Sequence, residues 1–568
     1  MASSTRALLA PSAVMATGTI TSRVTGIARD IAMAAALGFY LVSDAFSLGN
    51  SLPTILYILV VGGALNAVFI PQLVRRMRED ADEGKAYADA LLTVAATILL
   101  VLSVAAVVAA PWIVDRDTPD DYPQAEYELA VAFARLCLPQ IFFYGLYSML
   151  SQVLNARGRF GAPMFAPIAN NIIAIATFLL FIAVAGTSAA ADGVLTTDQV
   201  LILGIGTTLG VVLQALILIP LLSRAGYLWR PSFAWREQGL GHAAKLAAWT
   251  VGLVLVNQIA YLVITRFATQ ANVDASAAGV VAAGLTTYQK AHLVFMLPHS
   301  VITVSVVTAL LPALSRVAHA GRMRQVGADV SGAMRLIAAA ITPIAAILAV
   351  TGPGIAILLF GYGAATTDQA AQMGQIVSIF MLGLIPFTLF YVLLRGFYAL
   401  EDTRSPFVIT VIFSALWLVV VNALFGSQPP GGGQIAVIAF GYVLSYWVGL
   451  ALAWVWLATR LRRRATSDDD APGMRSPATL WSLARLTIAG VIAFLVMSLT
   501  RATMLDLLGL DSTSDRLGIA LSVVVVAILG ALTYVIAAWL LRCREVGQAW
   551  SLLRRALTRR NSPAKVES

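Results

Sequence analysis

Ser22-Arg23-Val24-Thr25-Gly26-Ile27-Ala28-Arg29-Asp30 lies inside the first long apolar stretch of the chain, residues 12 to 38. A helix that crosses a bilayer needs ~20 mostly apolar residues, and this stretch cannot supply them without including both arginines. Charge at that depth is costly against lipid, so both guanidinium groups must face protein or water. An arginine so placed offers a permanent charge and a planar fork of donors matched to phosphate or carboxylate oxygens. These nine residues thus set two expectations, a membrane-spanning fold and an anionic ligand.

The rest of the chain agrees. Of 568 residues, 59% are hydrophobic and only 12% are charged, and the mean hydropathy is +0.83; no sizeable soluble domain fits. Apolar runs of spanning length lie near residues 12 to 38, 45 to 72, 88 to 113, 127 to 155, 162 to 186, 199 to 222 and 244 to 270. A second set lies near 277 to 315, 331 to 360, 372 to 400, 406 to 426, 434 to 459, 480 to 500 and 516 to 541. The fold class expected is an all-α polytopic membrane protein with about 14 transmembrane helices.

Lysine and arginine set the orientation, because they stay on the cytoplasmic side. One set of loops carries Arg75-Arg76-Met77-Arg78, Arg157 with Arg159, Arg224 to Lys245, Arg322 with Arg324, Arg404, and Arg460 to Arg464. The alternate loops, including Asp115 to Asp121 and the turn from Gln428 to Gly433, are acidic or neutral. Both termini are therefore expected in the cytoplasm. The net charge of +9 reads as topology plus attraction to anionic membrane lipids, and its spread over separate helix ends argues against nucleic acid. Arg23 and Arg29 interrupt any signal-peptide core, so the first helix is expected to stay uncleaved. Cys137 and Cys543 imply neither a disulfide framework nor a metal cluster.

Leu52-Pro53 followed by Phe69-Ile70-Pro71-Gln72-Leu73 is echoed by Leu297-Pro298 followed by Leu311-Pro312-Ala313-Leu314. Leu138-Pro139, then Asn155-Ala156 and Pro163, is echoed by Ile385-Pro386, then Tyr398-Ala399 and Pro406. Four matched landmarks in order indicate an internal repeat. The expected organisation is a six-helix half over 1–222, a cytoplasmic linker over 223–243 and a second six-helix half over 244–460. A linker over 461–479, a helix pair over 480–541 and a basic cytoplasmic tail over 542–568 complete it. Repeats of this kind in transporters put the substrate site between the halves, near the midplane.

Ser22-Arg23-x-x-Gly26-x-x-Arg29-Asp30, Ser43-Asp44-Ala45-Phe46, Leu52-Pro53 and Gly63-Ala64-Leu65 before Phe69-Ile70-Pro71 resemble the first two helices of the MurJ (MviN) lipid II flippases. The likeness continues through Arg159-Phe160 and Pro163, Leu310-Leu311-Pro312-Ala313-Leu314-Ser315, and Phe397-Tyr398-Ala399-Leu400-Glu401-Asp402-Thr403-Arg404-Ser405-Pro406. It covers residues 13 to about 460. The resemblance implies the multidrug/oligosaccharidyl-lipid/polysaccharide exporter superfamily, with two six-helix halves around a central cavity. It also implies a role in carrying lipid-linked peptidoglycan precursor outward across the bacterial cytoplasmic membrane. Cell-wall synthesis proteins are implied partners, and the final helix pair is expected to form a groove for a polyprenyl tail.

Such a substrate carries a pyrophosphate, peptide carboxylates and sugars that cannot pass ~30 Å of hydrocarbon unaided. The expected substrate-binding residues are Arg23, Gly26, Arg29, Lys290 and Arg266. Arg23 and Arg29 stand about 120° apart around their helix and ~9 Å apart along it, with Gly26 between them removing bulk where a head group or a neighbouring helix would approach. The alternative is structural pairing with Asp30, Asp44 or backbone carbonyls. Asp44 is read as an outer gate that pairs with an arginine, or as a helix-start residue. The family pattern has arginines soon after the Leu-Pro of the second helix and before the matching proline of the eighth. Tyr57-Ile58 and Leu293 occupy those positions here. Lys290, about one turn before Leu293, is the expected replacement; Arg266 either lines the cavity or snorkels to the outer surface.

Other patterns carry no chemistry. Gly204, Gly206 and Gly210 have the wrong spacing for a nucleotide loop and read as packing. His292 and His299 read as polar packing or solvation, and no Walker lysine is present, so direct ATP drive is not expected; the family resemblance implies a transporter rather than an enzyme. No cofactor is expected. A coupling ion, with Asn257 and Asn422 as possible oxygen ligands, and the membrane potential, worth ~2.3 kcal/mol per charge per 100 mV, both stay open as drives. The alternatives to a lipid II flippase are an exporter of another lipid-linked oligosaccharide and a drug antiporter of the same superfamily. A cation-drug exporter should carry membrane carboxylates where this chain has arginines. A membrane enzyme would need an acid or metal cluster on an outer loop, and Asp115 to Asp121 reads as a solvated turn instead.

Overall fold

The computed structural model describes residues 2–59, 76, 82, 84–233, 241–465, 473–474, 476–508 and 516–548. In chain order the first seven helices are α1 (Ala2–Leu37), α2 (Leu41–Tyr57), α3 (Lys85–Val108), α4 (Gln124–Ala156), α5 (Gly161–Ala185), α6 (Thr197–Arg224) and α7 (Gly241–Ala278). They are followed by α8 (Leu285–His319), α9 (Met323–Phe360), α10 (Thr367–Met381 with Leu384–Ala399), α11 (Arg404–Leu424), α12 (Gly432–Arg464), α13 (Pro477–Leu508) and α14 (Arg516–Leu540). A short helix, Ala110–Asp117, joins α3 to α4. The fold is all-helical and polytopic.

Eleven of these helices, α3 to α9 and α11 to α14, are long and apolar enough to cross a membrane, and α10 makes a twelfth if its two arms, bent by 48°, count as one. Of the fourteen spans expected, eleven or twelve are found among the described residues, and α1 and α2 do not reach that standard. Helix α1 falls short because Arg23, Arg29 and Asp30 lie within it. Helix α2 falls short because its described part is only 17 residues long; residues 60 to 75, with the Phe69-to-Leu73 landmark, lie outside the described residues, as do Asp468 to Asp470 and the tail beyond 548.

The paired landmarks coincide with matching departures from regular helix. Pro53 lies inside α2, and Pro298 inside α8 is followed by a π-helical turn, His299–Thr303. Helix α4 breaks at Leu138-Pro139, and α10 breaks at Leu382-Gly383, just before Ile385-Pro386. A proline cannot donate to the preceding turn and its ring crowds the carbonyl four residues back, so each helix bends or restarts there. Helices α4 and α10 end at Ala156 and Ala399, and Pro163 and Pro406 fall in the first turns of α5 and α11.

By packing, the chain forms two units: residues 1–287 with 360–369 and 429–432, and residues 288–359 with 370–428 and 433–568. In the first unit a core of Met33, Leu37, Phe46, Phe133, Phe178 and Phe181 joins α1, α2, α4 and α5. Phe46 meets Phe133 and Phe178 edge-on at 5.2 and 5.8 Å, the geometry aromatic quadrupoles favour. Glycines set the closest approaches. A Cβ at Gly18 would meet Met164 and Phe165, and a Cβ at Gly204, Gly206 or Gly210 would meet Leu136, Thr177 or Asn170. Packing is therefore what the Gly204-to-Gly210 spacing serves. The segment after α6 folds back onto α3, where the Tyr227 hydroxyl donates to Asp89 Oδ1 at 2.6 Å and the Ser232 amide donates to Thr93 Oγ1 at 2.9 Å.

The second unit is organised by aromatic side chains. His292 packs with Phe295, Phe380 and Tyr442 at centroid distances of 5.5 to 5.7 Å, and His299 packs between Phe387 and Tyr391 at 4.6 and 4.8 Å. Both histidines thus serve packing. Asp402 caps α11 by accepting from the Ser405 amide at 3.0 Å and pairs with Arg460 of α12 at 2.9 Å, which accounts physically for the Asp402-to-Ser405 motif. Large apolar side chains such as Val101, Leu179, Leu209 and Trp539 stay exposed, as a bilayer-facing surface requires.

Candidate functional site

Helix α1 divides in two. From Asp30 to Leu37 it packs into the first unit's core, whereas from Thr17 to Arg29 most residues are exposed or half-buried. Arg23 is exposed and makes no ion pair among the described residues. The side chain of Arg29 is 36% exposed, and its Nη2 donates to Asp30 Oδ2 at 3.2 Å. Its Nη1 donates to Asn171 Oδ1 of α5 at 3.3 Å, while Asn171 Nδ2 donates to the Ser22 carbonyl and Thr25 Oγ1 at 3.1 and 3.0 Å. Arg29 therefore has the structural pairing with Asp30 and still presents charge to an open face; Arg23 has no such pairing. Two guanidinium groups against one carboxylate leave this stretch net cationic.

A Cβ at Gly26 would meet only Asn171 Nδ2, at 3.6 Å. That is ordinary contact, so no neighbouring helix needs the missing side chain; the close approach of α1 to α5 is at Gly18 instead. Asn171 was not among the residues singled out from the sequence. The available signal was an amide pair, Asn170-Asn171, inside the apolar run of α5.

Asp44 departs from the arginine pairing expected of a gate. It is 1% exposed and accepts from the amides of Leu285 and Thr286 at 3.0 and 2.7 Å and from Asn272 Nδ2 at 2.8 Å. These are first-turn amides of α8, which have no intrahelical acceptor and lie at the positive end of the helix dipole. A carboxylate from α2 thus caps α8. Ser43 and Ser47 both meet Thr286 Oγ1, at 3.1 and 2.9 Å. A Cβ at Gly284 would run into Asp44 Oδ2 and Asn272, so glycine keeps room for the cap. The chain leaves the first unit one residue after Thr286, between Thr287 and Tyr288 and inside α8.

Arg266 is drawn to the acidic loop before α4. Its Nη2 donates to Asp120 Oδ1 at 2.6 Å, with the two side chains 38% and 98% exposed, and its Nη1 reaches the Arg116 carbonyl at 3.5 Å. Arg266 is therefore held by contacts to this loop. Lys290, in the second unit on α8, is buried at 5% exposure. The loop itself is not a solvated turn throughout. Asp117 is 4% exposed and its Oδ2 has no hydrogen-bond partner; burial pushes its carboxyl up to about 7, against the pull of Arg266. Asn257 and Asn422 are both exposed, and Asn257 donates to the Leu253 carbonyl of its own helix at 3.0 Å.

The family model described as lipid II flippase MurJ matches residues 33–509. The lipid II flippase MurJ of Burkholderia cenocepacia is 28% identical over 484 residues, covering 84% of this chain and 87% of that protein. A probable lipid II flippase MurJ of Rhizobium meliloti is 28% identical over 442 residues, covering 77% and 79%. Among solved structures, a lipid II flippase MurJ in an inward closed conformation superposes with a TM-score of 0.69 at 18% identity, over 92% of this chain and 97% of that one. An inward-facing multidrug transporter of the MATE family gives 0.57 at 14% identity, over 78% and 95%.

Proposed function

From the chain's membership of the lipid II flippase MurJ family, to which it belongs, we propose that it carries lipid II from the inner to the outer leaflet of the cytoplasmic membrane by alternating access, with Arg23 and Arg29 as the anion clamp. It is a transporter and not an enzyme. The observation that carries the clamp is the surplus of guanidinium over carboxylate on the open half of α1. A pyrophosphate or peptide carboxylate would add the missing anion, with bidentate contacts that lysine cannot reproduce. Gly26 leaves space beside that charge for a head group.

Asp44 serves as the latch at the outer end. Its carboxylate ties α2 to the first turn of α8 within the first unit, and movement of α8 where the chain leaves that unit would make and break the cap. Lys290 supplies the second half's cation in place of the family arginine, and Arg266 contributes less. Both termini and the basic loops face the cytoplasm, where they meet anionic lipids and cell-wall synthesis proteins. The arginines also favour this reading over a cation-drug antiporter.

The test is complementation of a strain depleted of this chain by Arg23→Ala, Arg29→Ala and the two lysine variants at matched membrane expression. Loss of rescue by both alanine variants, with at most partial rescue by lysine, is expected. Full rescue by both alanine variants would remove the clamp.

A further inference from the structure

We infer that a cavity beside Arg501 in the second unit is a binding site for the phosphate of an anionic phospholipid taken from the surrounding leaflet. The cavity, of about 450 Å³, lies among α9, α10, α13 and α14. Its polar wall is Arg501 with Thr351, Gln375, Ser378 and Ser522, and its apolar wall includes Ile357, Ile379 and Val526.

Arg501 is half-buried and fixed at one point. Its Nη1 donates to the Val350 carbonyl at 2.9 Å, three residues before Pro353, in the turn of α9 whose hydrogen-bond ladder the proline interrupts. A guanidinium has five N–H donors, and among the described residues no carboxylate pairs with this one. The charge thus lies in a cavity lined with hydroxyl and amide groups, the setting that a phosphate monoanion or diester completes. Gly354 leaves room beside Val523, which a Cβ there would meet at 2.8 Å, and Gly352 lets α9 come close to the Gly374 carbonyl of α10, which a Cβ there would meet at 2.7 Å.

Depth and surroundings select a lipid as the source. Arg501 directly follows the apolar run 480 to 500 of α13 and lies one turn before the end of the candidate span Pro477–Met504, which places it at head-group level. Val523 lines the cavity, while its neighbours Leu521 and Val524 are 56% and 53% exposed. A head group in the cavity would therefore leave its acyl chains against α14 in the bilayer. The site is separate from the clamp on α1 and does not depend on which precursor the chain moves.

Native mass spectrometry of the purified full chain, titrated with dioleoylphosphatidylglycerol or dioleoylphosphatidylcholine, tests this. Wild type should hold one phosphatidylglycerol about tenfold more tightly than phosphatidylcholine. Arg501→Gln, and separately Val523→Trp to fill the cavity, should abolish that preference, and Arg485→Gln at the opposite part of α13 should keep it. Equal binding of the two lipids by wild type, or a preference that survives both cavity variants, overturns the inference. Displacement of phosphatidylglycerol by millimolar inorganic phosphate overturns it too, by making the site one for free phosphate.

Discussion

Replacing Asp44 by alanine removes the acceptor of three buried donors at once, the Leu285 and Thr286 amides and Asn272 Nδ2, at 3.0, 2.7 and 2.8 Å. Each buried donor left without a partner costs about 1–3 kcal/mol. Allowing for water that enters the space of the lost side chain, the sum is about 3–5 kcal/mol. Asp44→Asn keeps one acceptor oxygen but turns an NH2 group and no charge towards the positive end of α8, so it should cost roughly half as much. Hydrogen exchange resolved by peptide, on protein in detergent, reads the cap directly. Amides of residues 285 to 288 should lose protection in Asp44→Ala, with a smaller loss in Asp44→Asn and no change in α14. Unchanged protection in Asp44→Ala would show that the cap does not hold the start of α8, and the latch would fall with it.

Lys290→Ala should lose precursor export, and Leu293→Arg in that background should restore it by returning a cation one turn away; normal function of Lys290→Ala with failure of Arg266→Ala would reverse the two. Arg266→Ala should lower the melting midpoint little, because its partner Asp120 is 98% exposed and such pairs contribute about 0–1 kcal/mol. Asp117 is pushed up to about 7 by burial, above the ~3.9 of an unfolded aspartate. Its protonated form is therefore favoured by folding, and the stability it contributes is fully present below pH ~4 and lost as pH rises through ~7, by up to roughly 4 kcal/mol. Unfolding midpoints measured from pH 5 to 8 should fall less steeply in Asp117→Asn than in wild type; equal slopes would mean that Asp117 does not titrate in this range.

The helices were legible because hydrophobic runs of spanning length have few alternatives in a chain this apolar. The breaks were legible too, since Leu138-Pro139 and Ile385-Pro386 act through backbone sterics that need no tertiary partner. What a sequence does not carry is azimuth. Arg29 and Asp44 stand out in the sequence as charges on apolar helices, but Asn171 and Asn272, which hold them, lie 142 and 228 residues away in other helices. Asp44 was read towards an arginine because opposite charge is the obvious partner, whereas helix α8 offers two amides already aimed at it. Asp117 looked solvated among its acidic neighbours, and only the packing around the short helix Ala110–Asp117 buries it.

The most direct measurement of the central claim is the surface accessibility of lipid-linked precursor in cells depleted of this chain. Precursor reachable by an externally added periplasmic or extracellular hydrolase should fall on depletion, with total precursor rising, and return with the wild-type chain but not with Arg23→Ala. Accessibility that stays constant through depletion, at confirmed loss of the protein, would contradict the account of this chain as the flippase.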